Sequence, residues 1–212
     1  MRTATIAAVM VAGSALPAFA GITVYTSRAA ASHAAGDFVT ENFNAQSPGV
    51  IADGATLNTG LVQITRDGSG NGGDGLLEIE PGGNFGNIDG TTFLSGETGA
   101  APHEVVNVAF SGQNVTAFGA DWFSPFSGDG IVLNFGTYTV SLDSITGFNT
   151  GFVGFVADPG ESFSSVKIAG TEDDITFQEL WSADNFSFAV VPAPGAFAVL
   201  GMGGLLAARR RR

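Results

Sequence analysis

Short apolar runs recur along most of the chain, each broken within a few residues by glycine, asparagine, aspartate or serine. Several alternate with polar residues, so that Val106, Val108 and Phe110 share one face of an extended segment, as do Phe186, Phe188 and Val190. Alternation of period two marks half-buried strands. The runs predict strands at Ile22–Thr26, Val39–Phe43, Leu61–Thr65, Leu76–Glu80, Val105–Phe110 and Val115–Trp122. Further strands are expected at Ile131–Phe135, Thr137–Leu142, Gly151–Ala157, Ser164–Ala169 and Asn185–Val190. No segment before the C-terminal tail keeps a helical repeat over three turns, and residues 21–36 read as a short first strand followed by an Ala/Ser-rich connector. Many short strands separated by turn residues predict an all-β fold, a sandwich or a barrel. A β-sandwich of jelly-roll type over residues 37–190 is the expectation. The 18 phenylalanines suit it, because a core between two sheets accepts large rings that need no hydrogen-bond partner.

The ends of the chain follow a different pattern. Met1 to Ala20 carries Arg2, an apolar stretch from Ile6 to Leu16, and the small-x-small triplet Ala18-Phe19-Ala20. Those features, in that order, predict a secretory signal helix cut before Gly21, with the Sec translocon and signal peptidase as partners. At the other end, Val191-Pro192-Ala193-Pro194 breaks regular structure, since proline fixes φ and donates no backbone hydrogen bond. A charge-free run of 14 residues, Gly195 to Ala208, then precedes Arg209, Arg210, Arg211 and Arg212. As a helix that run measures about 21 Å, shorter than a typical hydrocarbon core. Arginines directly after an apolar run are nevertheless what the positive-inside rule keeps in the cytoplasm. The tail is therefore expected to be a single hydrophobic helix that anchors the chain transiently in the inner membrane.

This tail resembles the PEP-CTERM sorting signal of Gram-negative bacteria, which joins a Pro-x-Pro motif, an apolar helix and a basic terminus. The resemblance covers Val191 to Arg212 and departs from the family motif at Ala193, where the family carries glutamate. It implies that an exosortase, a membrane protease-transpeptidase, reads and removes the segment, leaving the protein at the cell surface or outside the cell.

Charge narrows the range of partners. The chain has a formal net charge of −12, but five of its eight basic residues lie in the two end segments. Between them remain Arg28, Arg66 and Lys167 against all 20 acidic residues, a net charge of about −17. Such a surface repels nucleic acid and anionic lipid, which need clustered Lys and Arg. Cations, neutral glycans and basic partners remain. With no cysteine, disulfides, thiol catalysis and Cys-based metal sites are excluded.

The sequence offers few groups that carry chemistry. From Asp67 to Glu78, oxygen-bearing side chains at Asp67, Ser69, Asn71 and Glu78 fall on the spacing of a calcium-binding loop. Asp74 stands where such loops are apolar, and neither flank reads as a helix, so calcium at a turn between strands competes with a plain acidic hairpin. Glu78 and Glu80 share a strand face and could pair as glycosidase carboxylates; otherwise they are the solvent side of a strand whose Leu77 and Ile79 turn inward. His33 and His103 lack the neighbours of a catalytic triad or zinc motif and are expected on the surface. Asp121 beside Trp122 is a candidate sugar site, a carboxylate next to a stacking ring, although tryptophan is more often core.

The stretches Ala117–Trp122, Gly151–Phe155 and Ala183–Phe186 resemble a lectin-like β-sandwich common in proteins with this tail, a fold that includes many carbohydrate-binding modules. Together these readings predict a non-enzymatic, exported surface protein associated with exopolysaccharide. A secreted glycoside hydrolase or lyase and a purely structural surface-layer component are the alternatives.

Overall fold

The computed structural model of the protein describes residues 21–67, 76–98, 105–123, 130–142, 145, 150–170 and 179–191. The expected signal helix, the sorting tail beyond Val191, His103, and the Ser69 and Asn71 part of the glycine-rich loop lie outside these residues. The elements in chain order are β1 (Ile22–Tyr25), α1 (Arg28–Ala35), β2 (Val39–Glu41), β3 (Gly49–Val50) and β4 (Thr56–Asn58). They continue with β5 (Gln63–Asp67), β6 (Leu77–Glu80), β7 (Phe93–Thr98), β8 (Val105–Ala109) and β9 (Val115–Phe123). The last five are β10 (Val132–Phe135), β11 (Tyr138–Ser141), β12 (Thr150–Ala157), β13 (Ser165–Ala169) and β14 (Glu179–Val190).

The strands form an all-β sandwich. Its larger sheet has eight strands in the order β1-β12-β9-β14-β7-β6-β3, with β2 also pairing β14, and its smaller sheet has six, β11-β10-β13-β8-β5-β4. Every pairing is antiparallel. From β5 onward the chain crosses repeatedly between sheets, the winding expected of a jelly-roll.

Alternation places the core. Leu77 and Ile79 of β6, Trp122 of β9 and Trp181 and Ala183 of β14 point inward from the larger sheet, against Ile64, Val106, Val108 and Leu133 of the smaller one. Phenylalanines fill the middle: Phe186 stands edge-on to both Phe43 at 5.1 Å and Phe118 at 5.4 Å, and Phe110 packs on Phe188 at 5.2 Å. Edge-to-face rings add stabilisation beyond the area they bury. Trp122 and Trp181 pack on each other at 5.9 Å with both indole N–H groups buried and unpartnered, so they serve as apolar volume.

The connector after β1 is a helix. Ser27 caps it, its hydroxyl accepting from the Ala30 backbone N–H, and Gly36 closes it with φ +98. Alanines between these caps have high helix propensity, yet two turns are too short to show a period. Ala31 is fully buried on the outer face of the larger sheet, against Ala117, Val156 and Ala189. β1 itself pairs β12 from Ile22↔Ala157 to Tyr25↔Gly154, so residues 21–36 are part of the sandwich rather than a segment ahead of it.

Three strands were not apparent as alternating runs: β3, β4 and β7. β7 needs Gly96, because the Trp181 ring lies across it and a Cβ there would sit 2.5 Å from Cζ2 of the indole. Replacing Gly96 by alanine should therefore lower unfolding free energy by about 1–3 kcal/mol through overpacking, read as a drop in denaturation midpoint. An unchanged midpoint would mean that the ring is free to move aside.

Candidate functional site

The outer face of the larger sheet divides in two. α1 covers the β1–β12–β9 side, and the connection between β6 and β7, residues 81–92, folds back over β14 and β7.

Where the two covers meet, polar side chains form a network. β14 carries one extra residue relative to β9 between Asp184↔Asp121 and Ser187↔Gly119, and Asn185 takes φ +53 there. That bulge turns Asp184 and Asn185 successively outward. Asn185 Nδ2 donates to Asp121 at 3.0 Å and Asp89 at 3.2 Å, and Arg28 from α1 donates to Asp121 at 2.8 Å and to Ser187 Oγ. Arg28 also lies 4.5 Å above the Phe152 ring. The Arg28–Asp121 pair is about a quarter to a third exposed, so its net contribution is about 1 kcal/mol or less.

Asp184 is fully buried. It accepts from the Asn185 backbone N–H at 2.6 Å and from Thr91 Oγ1 at 3.2 Å. Burial pushes its carboxyl up to about 7, with the charges of Asp89 and Asp121 adding to the rise. Asp89 moves the other way, chiefly because the Thr91 hydroxyl donates to it.

The remaining open part of the face is a cleft of about 570 Å³. Its floor is a register row: Phe123 of β9 opposes Ser182 of β14, Ser182 opposes Ser95 of β7, and Ser95 opposes Glu78 of β6. Glu80 and Glu97 flank the row, and Asn84 and Phe85 of the 81–92 connection form a wall. Phe85 stands edge-on to Phe123 at 5.5 Å and is 70% exposed. Asn84 Nδ2 donates to Glu80 Oε2. Ser95 and Ser182 are buried, and neither hydroxyl is hydrogen-bonded to another described residue. Burial raises the Glu78 pKa, and Glu80 raises it further by charge and by direct hydrogen bonding, followed by Glu97.

The residues singled out in the sequence are distributed differently from expectation. Leu77 and Ile79 do face the core, leaving Glu78 and Glu80 on the outer face. Glu78 joins this cleft in the larger sheet, whereas Asp67 ends β5 in the smaller one. Among the described residues no group of three His, Asp or Glu side chains is placed to hold a metal ion. Asp121 and Trp122 do not form one sugar site: adjacent strand residues point to opposite faces, so Trp122 is core while Asp121 meets Arg28. His33 is exposed on α1. Missed altogether were Ser95, Glu97 and Ser182, from β7 and the first half of β14, and Phe85 from a connecting loop.

The buried Asp184 makes stability depend on pH. Its folded pKa lies above the unfolded value, so the stability associated with its protonated form is present below about pH 4 and is lost as pH rises through 7. The slope approaches about 1.4 kcal/mol per pH unit in that window. Asp184→Asn should remove this component, so the stability of the variant relative to wild type rises between pH 5 and pH 8 in chemical denaturation. A difference constant with pH would show that the carboxyl does not titrate there.

Compared with known proteins, the chain matches no protein-family model, and no curated protein is significantly similar to it.

Proposed function

We propose that this is an exported, surface-sorted, non-enzymatic protein that binds extracellular polysaccharide in the cleft on the outer face of its larger sheet. The observation that carries the reading is the cleft itself, where the Phe85 and Phe123 rings stand beside hydroxyls and carboxylates that have the chemistry to pair with sugar hydroxyls. Among the described lining residues there is no Lys, Arg or His, which favours uncharged or amine-bearing polymers over uronic-acid ones.

One observation favours a glycoside hydrolase instead: Glu78, with its raised pKa, and Glu80 face the same cleft. Hydrolysis requires two carboxyls about 5–9.5 Å apart, one on each side of the bond being broken. Glu78 and Glu80 project side by side from one face of β6, so neither stands across a bound sugar from the other. Binding without turnover is the better fit.

Export rests on the end segments. β1 begins at Ile22, one residue past the expected cut, so removal of residues 1–20 would leave every described strand whole. Gly21 lies beneath the Tyr138 ring, where a Cβ would lie 2.2 Å from Cζ, so a larger residue after the cut would push that ring aside. The sorting proposal follows from Val191–Arg212: an exosortase would release the chain from its inner-membrane helix at the surface of a Gram-negative cell.

Two measurements test these readings. On a glycan array, the exported protein should bind neutral or amine-bearing oligosaccharides, and Phe85→Ala should weaken binding about tenfold with little change in melting, because the ring is mostly in water. Retained affinity in that variant would move the site elsewhere. Amino-terminal sequencing of the exported protein should begin at Gly21, and deletion of residues 195–212 should release it from cells. An intact Met1 terminus, or unchanged surface retention, would sink the export and sorting readings respectively.

A further inference from the structure

β1 and β11 are edge strands, one in each sheet, and Gly21 and Tyr138 bring those edges together at one corner of the sandwich. A Cβ on Gly21 would lie 2.3 Å from the Tyr138 hydroxyl oxygen, so standard bond lengths put the Gly21 nitrogen within about 5 Å of it. The turn after β12 folds against the same point. Asp158-Pro159-Gly160-Glu161 has proline at its second position and a glycine of φ +92 at its third, the pattern of a type II turn. The Glu161 N–H donates to the Asp158 carbonyl at 2.9 Å and closes it, and the Asp158 N–H donates to the Gly21 carbonyl at 2.9 Å. The Tyr138 hydroxyl lies 3.0 Å from both carboxylate oxygens of Glu161. That hydrogen bond is the main cause of a raised Tyr138 pKa, and the charges of Glu161 and Asp158 add to it.

Two carboxylates are thus held at the corner where the exported chain is expected to begin. In the uncut chain the Gly21 nitrogen is an uncharged amide with one hydrogen. Hydrolysis of the Ala20–Gly21 bond by water leaves a carboxylate on the released segment and an amine on Gly21. That amine takes up a proton near neutral pH and becomes an ammonium with three donors. We infer that the α-ammonium freed at Gly21 is a partner of the Glu161 and Asp158 carboxylates, so that signal removal supplies a charge that fastens the β1 and β11 edges together. The inference rests on the export reading and adds to it a structural role for the cut. A charge-assisted bond of this kind is stronger than the neutral amide bond it replaces. It also raises the pKa of the amine, so its stabilisation is complete below the ordinary range of about 7.7–8.0 and is lost as pH rises through the folded value.

The test reads the amine directly. Lys167 is the only lysine of the chain, so the exported protein has two amines, and reductive methylation with carbon-13 formaldehyde labels both while keeping their charge. In an NMR titration the Gly21 amine should have a pKa about half a unit or more above its value in the same chain unfolded in urea. The excess should shrink as salt is added. In Asp158→Asn/Glu161→Gln the amine should return to within about two tenths of a unit of the unfolded value, while the Lys167 signal stays where it was. If the double variant does not fold, Glu161→Gln alone should lower the amine pKa in the same direction. An amine that titrates in the folded wild type as it does in urea would overturn the inference and leave export standing. A raised pKa that survives both variants would also overturn it. An exported chain beginning at a residue other than Gly21 would overturn the expected cut and this inference together.

Discussion

The pairing of β9 with β14 through the middle of the larger sheet is the constraint on which the rest of the structure depends. β14 spans twelve residues, and along its other edge it pairs β7 over Glu179–Ala183 and then β2 over Phe186–Phe188. The change of partner coincides with the bulge at Asn185. One inserted residue reverses the inward-outward alternation, so Trp181 and Ala183 face the core before it and Phe186 and Phe188 after it. Two polar residues thereby fall together on the outer face, where Asp184 is sealed by Thr91 and Asn185 reaches Asp89 and Asp121. Arg28 joins the same node from α1. Both covers of the outer face, the helix and the 81–92 connection, are thus fastened at a single irregularity in one strand.

That arrangement explains what sequence reading recovers and what it loses. Strands with one face in the core and one in water, such as β6 with Leu77 and Ile79 in and Glu78 and Glu80 out, carry their alternation openly. β7 does not, since Phe93, Leu94, Ser95 and Gly96 are all buried once the 81–92 connection lies on the outer face. The first half of β14 fails for the same reason: Trp181, Ser182, Ala183 and Asp184 are all buried. A strand covered on both sides loses the period that identifies it. The pairing of Asp121 with Trp122 as a sugar site is a different case, because the period-2 rule alone separates neighbouring strand residues. Within the cleft, only Glu78 and Glu80 stood out in sequence. Ser182 lies far along the chain from them and arrives through the non-consecutive β14–β7 pairing, which no local pattern encodes.

The two faces of the larger sheet also divide the work of charge. Its inner face is almost wholly apolar, so the acidic surplus of the domain must sit on outer faces and loops. Within the network at the bulge, acidity is answered internally, by Arg28, by the Asn185 amide, and by the raised pKa of Asp184. In the cleft a few residues away, no Lys or Arg is among the described lining residues. Asn84 donates one hydrogen bond to Glu80, and Glu78 lies beside Glu80 and Glu97, whose charges raise its pKa. Burial and neighbouring negative charge both disfavour the ionised form of Glu78, a cost eased by a hydrogen-bond donor or positive group arriving in the cleft. Phe85, held edge-on to Phe123 with most of its ring in water, stands at the same place and gains burial from the same event. A ligand seated in the cleft would therefore gain from both at once.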